Sequence, residues 1–154
     1  MNIKAIIFDW GRTLFVVDLK KEIPGVEDIL IYCKQKGYKI CVASLARPLT
    51  GDGIEQRKRQ IENSSLHKYI DRLEVTDVKD KDEMLNKLVK MLNFERKDIL
   101  IVDDRMVKSI KYGNKNGHPT AWLQAGPFAD ELPDLETGIP TFTIKTLFEL
   151  KNSI

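Results

Sequence analysis

The sequence predicts an α/β protein of three layers, Rossmann-like, with a mostly parallel five-stranded or six-stranded sheet and helices on both faces. Two observations predict it. Short apolar runs recur along the chain, each separated from the next by a segment of helical periodicity. Several of those runs stop on a polar residue (Asp9, Ser44, the pair Asp103-Asp104), as strands do when a parallel sheet delivers their ends to one edge.

The first strand is the run Ile3–Phe8, apolar apart from Lys4, as a strand covered on both faces requires. Pro24-Gly25 opens a helix with Val26, Ile29, Leu30 and Cys33 on one face, and Gly37 closes it. "KICVAS" (39–44) is a second buried strand. A charged helix begins near Gly53, and "RLEV" (72–75) reads as a third strand. Lys81–Leu92 is amphipathic, with Leu85, Leu88, Val89 and Leu92 in its stripe and Asp82 and Glu83 at the dipole-favoured first turn. "DILIV" (98–102) is a fourth strand running into Asp103-Asp104, and a helix then extends to about Asn116 before Gly117. "TAWL" (120–123) is a fifth strand. Gln124–Pro140 holds three of the six prolines and reads as a long loop, and "TFTI" (141–144) as a short last strand before a terminal helix.

At 154 residues, 42% hydrophobic and 31% charged, the chain suits one globular domain, 1–154, with a real core. A net charge of +2 gives no strong field, so neither nucleic acid nor a membrane is expected as a partner. Arg57-Lys58-Arg59, flanked by Glu55 and Glu62, reads as a solvated helix face. Cys33 and Cys41 lie in apolar segments without metal-type spacing, as reduced core residues of a cytoplasmic protein do. The run "AIIF" is too short for a signal-peptide core.

Crossovers between parallel strands would collect Asp9, Ser44, Asp103 and Asp104 at one sheet edge, with Lys79 or Lys81 close behind. Crowded carboxylates repel one another unless a cation lies between them. Mg²⁺ held by one or two carboxylates and a phosphate resolves that repulsion, with a lysine and a hydroxyl left to neutralise the phosphoryl oxygens. His67 and His118 fit no part of this pattern.

In that order the residues resemble the haloacid dehalogenase (HAD) superfamily, mostly phosphatases acting through an aspartyl-phosphate. Its first motif, Asp-x-Asp-x-Thr-Leu after a buried strand, is matched by Asp9, Thr13 and Leu14. Its strand-ending Ser or Thr is matched by Ser44, its helix-opening Lys by Lys81 or Lys79, and its acidic strand end by "IVDD". The resemblance implies that Asp9 attacks phosphorus, Thr13 orients it, and Ser44 binds a phosphoryl oxygen. It further implies that Lys81 neutralises charge, and that Asp9, the Gly11 carbonyl, Asp104 and Asp103 hold Mg²⁺.

The motif is broken at one place. Gly11 stands where the family carries its second Asp, and Arg12 where it carries Gly. Gly11 keeps the metal-binding carbonyl and loses the general acid-base, an effect worth about 10²–10⁴-fold. Lys108 and Ser109 occupy the positions where many members carry a further acid. Phosphonoacetaldehyde hydrolases, similar in "FDW", have Ala at the second position, and haloacid dehalogenases a Tyr. Both depend on a cap domain, for which the intervals Thr13–Pro24 and Ser44–Lys79 leave no room. The expected protein is thus a capless phosphohydrolase, impaired or specialised, acting on a small or macromolecular phosphorylated substrate, with homo-oligomerisation one way to close its site. The alternative is an inactive phospho-ligand-binding or scaffold protein. A phosphoacceptor receiver has similar residues in the opposite chain order.

Overall fold

The computed structural model describes residues 1–47 and 53–154. Its central sheet has six strands, all paired in parallel. β1 (Ala5–Asp9) is interior, paired on one side with β4 (Lys39–Leu45) and on the other with β6 (Ile99–Asp103). β5 (Arg72–Thr76) lies outside β4, while β7 (Thr120–Leu123) and β8 (Phe142–Ile144) follow β6 outward. The chain therefore leaves β1 towards one side and later returns to its other side, the arrangement that opens a crevice at strand carboxyl ends. A small hairpin of β2 (Phe15–Val16) and β3 (Lys21–Glu22), which the sequence does not announce, precedes the first helix.

Among the described residues four α-helices cover the sheet: α1 (Val26–Gln35), α2 (Ile54–Glu62), α3 (Asp82–Leu92) and α4 (Lys111–Asn116). Strand alternation divides the core in two. Ile6 and Phe8 of β1 pack with Ile40, Val42, Ile29, Leu30, Ile61 and Leu147 on one face. Ala5 and Ile7 pack with Cys41, Ala43, Leu85, Leu88 and Tyr112 on the other. The expected helix after β6 is interrupted: an irregular turn over Met106–Ile110, with Lys108 far from helical geometry (φ −111°, ψ −113°), precedes α4. The expected terminal helix is a 3₁₀ turn at Leu147–Asn152. Among the described residues the interval from Ser44 to Lys79 carries only α2, one 3₁₀ turn and β5. No helix among them is long and apolar enough to cross a membrane. Both cysteines are buried free thiols, and burial pushes each up to about 12.

The register of α4 on β7 depends on Gly113. A methyl group there would lie 2.4 Å from Thr120 Cγ2. Thr120 is fully buried and its hydroxyl is tied to Asn114 Oδ1 (2.7 Å) and to the Thr141 amide (3.1 Å), so it cannot swing aside. Helix propensity favours Ala over Gly by about 1 kcal/mol, and overpacking opposes it. Gly113→Ala is expected to destabilise the fold by about 1–3 kcal/mol, measured by urea denaturation; a stabilised variant would contradict the close approach.

Candidate functional site

Asp9 ends β1 at the crevice. Behind it the chain turns tightly: the Trp10 carbonyl accepts the amides of Thr13 (3.3 Å), Leu14 (2.9 Å) and Phe15 (3.1 Å), and Arg12 takes the left-handed conformation (φ 62°). Trp10, fully buried and stacked on Phe15, anchors this turn, and its indole N–H donates to Gln60 Oε1 (3.1 Å). The turn carries Thr13 back so that its hydroxyl donates to Asp9 Oδ2 (3.1 Å). The Thr13 Oγ1 in turn accepts the Asp104 amide (3.2 Å), so one threonine fastens the end of β1 to the end of β6.

Lys81 stands at the N-terminus of α3 with its side chain only 3% exposed. Its ammonium lies 2.7 Å from Asp9 Oδ1 and 3.3 Å from Asp103 Oδ2. Asp103 is held further by the amides of Arg105 to Oδ1 (2.9 Å) and Ser109 to Oδ2 (3.2 Å). Asp104 is fixed through its carbonyl, which accepts the Trp122 indole N–H (3.0 Å), whereas its buried Oδ2 has no hydrogen-bond partner among the described residues. One oxygen from each of Asp9, Asp103 and Asp104 lies within 4.8 Å of the others.

Three buried carboxylates thus cluster beside one ammonium that pairs with two of them. Burial, then the Asp103 charge, pushes the Asp9 carboxyl up to about 6 despite Lys81 and Thr13. Burial, then the charges of Asp103 and Asp9, pushes Asp104 up to about 9. Asp103 stays below the usual carboxylate range because Lys81 and the Ser109 and Arg105 contacts outweigh its burial. Burial would lower the Lys81 pKa, but Asp103 and Asp9 more than reverse that. An orphaned, desolvated carboxylate oxygen beside two further carboxylates is what a hard dication requires, so the donor set fits Mg²⁺.

Asp9, Gly11, Lys81, Asp103 and Asp104 all line one cleft of about 290 Å³. Lys79 is exposed and does not line the cleft; its carbonyl accepts Lys108 Nζ (2.9 Å). Ser44 does not line the cleft. Asp9 is in register with Ala43, so Ser44 points to the opposite face of the sheet, where its Oγ accepts Arg57 Nη1 (2.8 Å). Arg57 corrects the expectation of a solvated helix face: it is 4% exposed, lines the cleft, and also donates to the Leu45 carbonyl (3.2 Å). The signal for it was the four-residue spacing to buried Ile61, which places both on the inward side of α2. Phe128, from the loop after β7, also lines the cleft. His118 is structural, buried with Nδ1 3.3 Å from the Ile99 carbonyl and stacked on Tyr112. His67 is on an exposed 3₁₀ turn.

The raised carboxyls set a pH dependence. A carboxyl with a folded pKa above its unfolded value keeps its proton longer when native, so stability falls as pH rises between the two. Without divalent cations, stability should therefore decline from about pH 4 through about 6 (Asp9) and towards about 9 (Asp104). Asp104→Asn should be more stable than the parent near pH 8 by about 1 kcal/mol or more, and Mg²⁺ should stabilise the parent but not the variant. Thermal unfolding across pH reads this out; a parent whose stability rises over that window would contradict the geometry.

No protein-family model and no curated protein matches the chain. Solved structures do. Bacillus subtilis YfnB, described as a HAD-hydrolase and bound to magnesium, is similar with a TM-score of 0.80 at 14% identity, covering 99% of this chain and 99% of that one. L-2-haloacid dehalogenase from Xanthobacter autotrophicus is similar at a TM-score of 0.77 and 12% identity, over 97% of each chain. A predicted phosphoglycolate phosphatase from Haemophilus somnus 129pt is similar at 0.73 and 12% identity, over 99% of this chain and 98% of that one. With its six-stranded parallel sheet and flanking helices, the chain has the three-layer fold shared by HAD-superfamily hydrolases and dehalogenases.

Proposed function

We propose that this chain is a magnesium-dependent phosphohydrolase that works through an aspartyl-phosphate on Asp9. The observation that carries the reading is the convergence of Asp9, Asp103 and Asp104 within 4.8 Å around an unpartnered Asp104 oxygen, with Lys81 bonded to Asp9. The magnesium-bound and phosphatase relatives of the same fold support it. Asp9 and Asp104, with the Gly11 carbonyl, would hold the ion, and Asp103 would hold it less directly because its oxygens already accept Lys81 and the amides of Arg105 and Ser109, whereas Asp9 accepts only Lys81 and Thr13 among the described residues. Bound there, Mg²⁺ supplies the positive charge that keeps Asp9 ionised and neutralises phosphoryl oxygens.

Asp9 then attacks phosphorus, and the bond to the leaving oxygen breaks. Thr13 and Lys81 restrict the carboxylate to one orientation. Lys81 screens charge on the transferring group, and Arg57, reaching the cleft from α2, is a second cation for it. Water subsequently releases phosphate from Asp9. Nothing at Gly11 can protonate the leaving oxygen or activate that water, so groups that depart unprotonated, such as acyl or enol phosphates, are the suited substrates. Gly11 itself also favours a second reading, a phospho-ligand-binding protein without turnover, marked by ligand affinity on a phosphate panel and no product.

Space exists to restore the acid: a methyl at Gly11 would meet only Val17 Cγ2, at 3.9 Å. Gly11→Asp is expected to raise turnover of an aryl phosphate by at least about tenfold in steady-state assays. Asp9→Asn should abolish it, and acetyl phosphate should be cleaved faster than an alkyl phosphate by the parent. An unchanged rate in Gly11→Asp would mean that position 11 is not the vacated acid site.

A further inference from the structure

We propose that the cleft takes small phosphorylated molecules whose leaving group carries a second oxyanion, a carboxylate or another phosphate, read by Arg12 and Arg105. This rests on the phosphohydrolase reading above. It starts from the charges around the cleft: among the described residues Arg12, Arg47, Arg57, Lys81, Arg105 and Lys108 line it together with Asp9, Asp18, Asp103 and Asp104. Lys81 is committed to Asp9 and Asp103 on the cleft floor. Transfer of a single phosphoryl group gives no reason for Arg12 and Arg105.

Those two are held as a pair by one aromatic ring. The Arg105 guanidinium lies 3.7 Å from the Phe128 ring centroid and that of Arg12 lies 5.4 Å from it. Glu131 accepts the Arg105 Nε–H at 2.6 Å, and no side chain among the described residues takes its Nη groups. Arg12 makes no ion pair among them. Its left-handed backbone (φ 62°) is one that non-glycine residues rarely adopt, retained beside the nucleophile. Stacking on the ring leaves the N–H edges of a guanidinium for an oxyanion, which two such groups can chelate. Lys108 adds to the same field: burial and the charges of Arg105, Lys79 and Lys81 lower its pKa. A volume of about 290 Å³ is on the scale of a small ligand.

Phe128 and Glu131 come from the loop after β7, Arg105 from the end of β6, and Arg12 from the turn after β1. The subsite is therefore assembled where three segments meet beside the phosphoryl site, the place a leaving group must occupy.

Calorimetry with Mg²⁺ and non-hydrolysable phosphonates tests this. The probes are ethylphosphonate, phosphonoacetate, 3-phosphonopropionate and, for the second-phosphate arm, methylenediphosphonate. At least one two-anion probe should bind about tenfold or more tighter than ethylphosphonate. Arg105→Gln and Arg12→Gln should each cut that ratio by at least about threefold; two variants guard against one failing to fold. Ethylphosphonate binding with no gain for any second anion would overturn the subsite and leave the phosphohydrolase standing. A gain that survives in both variants would overturn the assignment to these arginines. Binding of none of the probes would remove both proposals.

Discussion

The buried ammonium of Lys81, set between Asp9 and Asp103, is the contact on which the rest of the site depends. It joins the end of β1, the end of β6 and the start of α3, which approach one another only because both strands are interior to the sheet. Leaving a buried charge of this kind unpaired costs about 3–5 kcal/mol, so the contact constrains three elements at once. It does not neutralise the site. Two carboxyls remain displaced upward, and that residual electrostatic strain is what a dication would relieve.

The fold places this cluster with few residues. β1 supplies Asp9, and one tight turn behind it supplies both Thr13, which steadies the carboxylate, and Arg12, which faces outward to the Phe128 ring. β6 ends on Asp103 and Asp104 follows it, and the two acids take different tasks: Asp103 binds Lys81 and the backbone amides of the following turn, while Asp104 keeps one oxygen, Oδ2, unpartnered among the described residues. The broken helix after β6 follows from the first of these, since Asp103 takes the amides of Arg105 and Ser109 that a regular helix start would orient differently.

Much of this was legible in the chain. Buried parallel strands read as apolar runs, and five of them stand where they were expected, with "TFTI" furnishing the sixth. Asp9, Thr13, Lys81, Asp103 and Asp104 meet as their order along the chain implied. The sequence left both Lys79 and Lys81 open; the structure brings Lys81, at the entry to α3, against Asp9. Less legible were contacts decided by tertiary packing. Ser44 lies one residue before the end of its strand, which runs on to Leu45, and is turned by the sheet register away from Asp9 and towards Arg57. Arg57 looked solvated because its neighbours are charged, although it shares the inward side of α2 with Ile61 and packs against Ser44 and Leu45 of β4. Phe128 and Glu131 sit in a proline-rich loop without periodicity, so no local pattern could place them over the cleft.

The account stands or falls on Asp9 being the phosphoryl acceptor beside a metal. A crystal structure of the protein with Mg²⁺ and beryllium fluoride tests this most directly. The account predicts beryllium bonded to an Asp9 carboxylate oxygen, and Mg²⁺ against Asp9, Asp104 and the Gly11 carbonyl. Fluoroberyllate bound elsewhere, or Mg²⁺ away from Asp104, would contradict it.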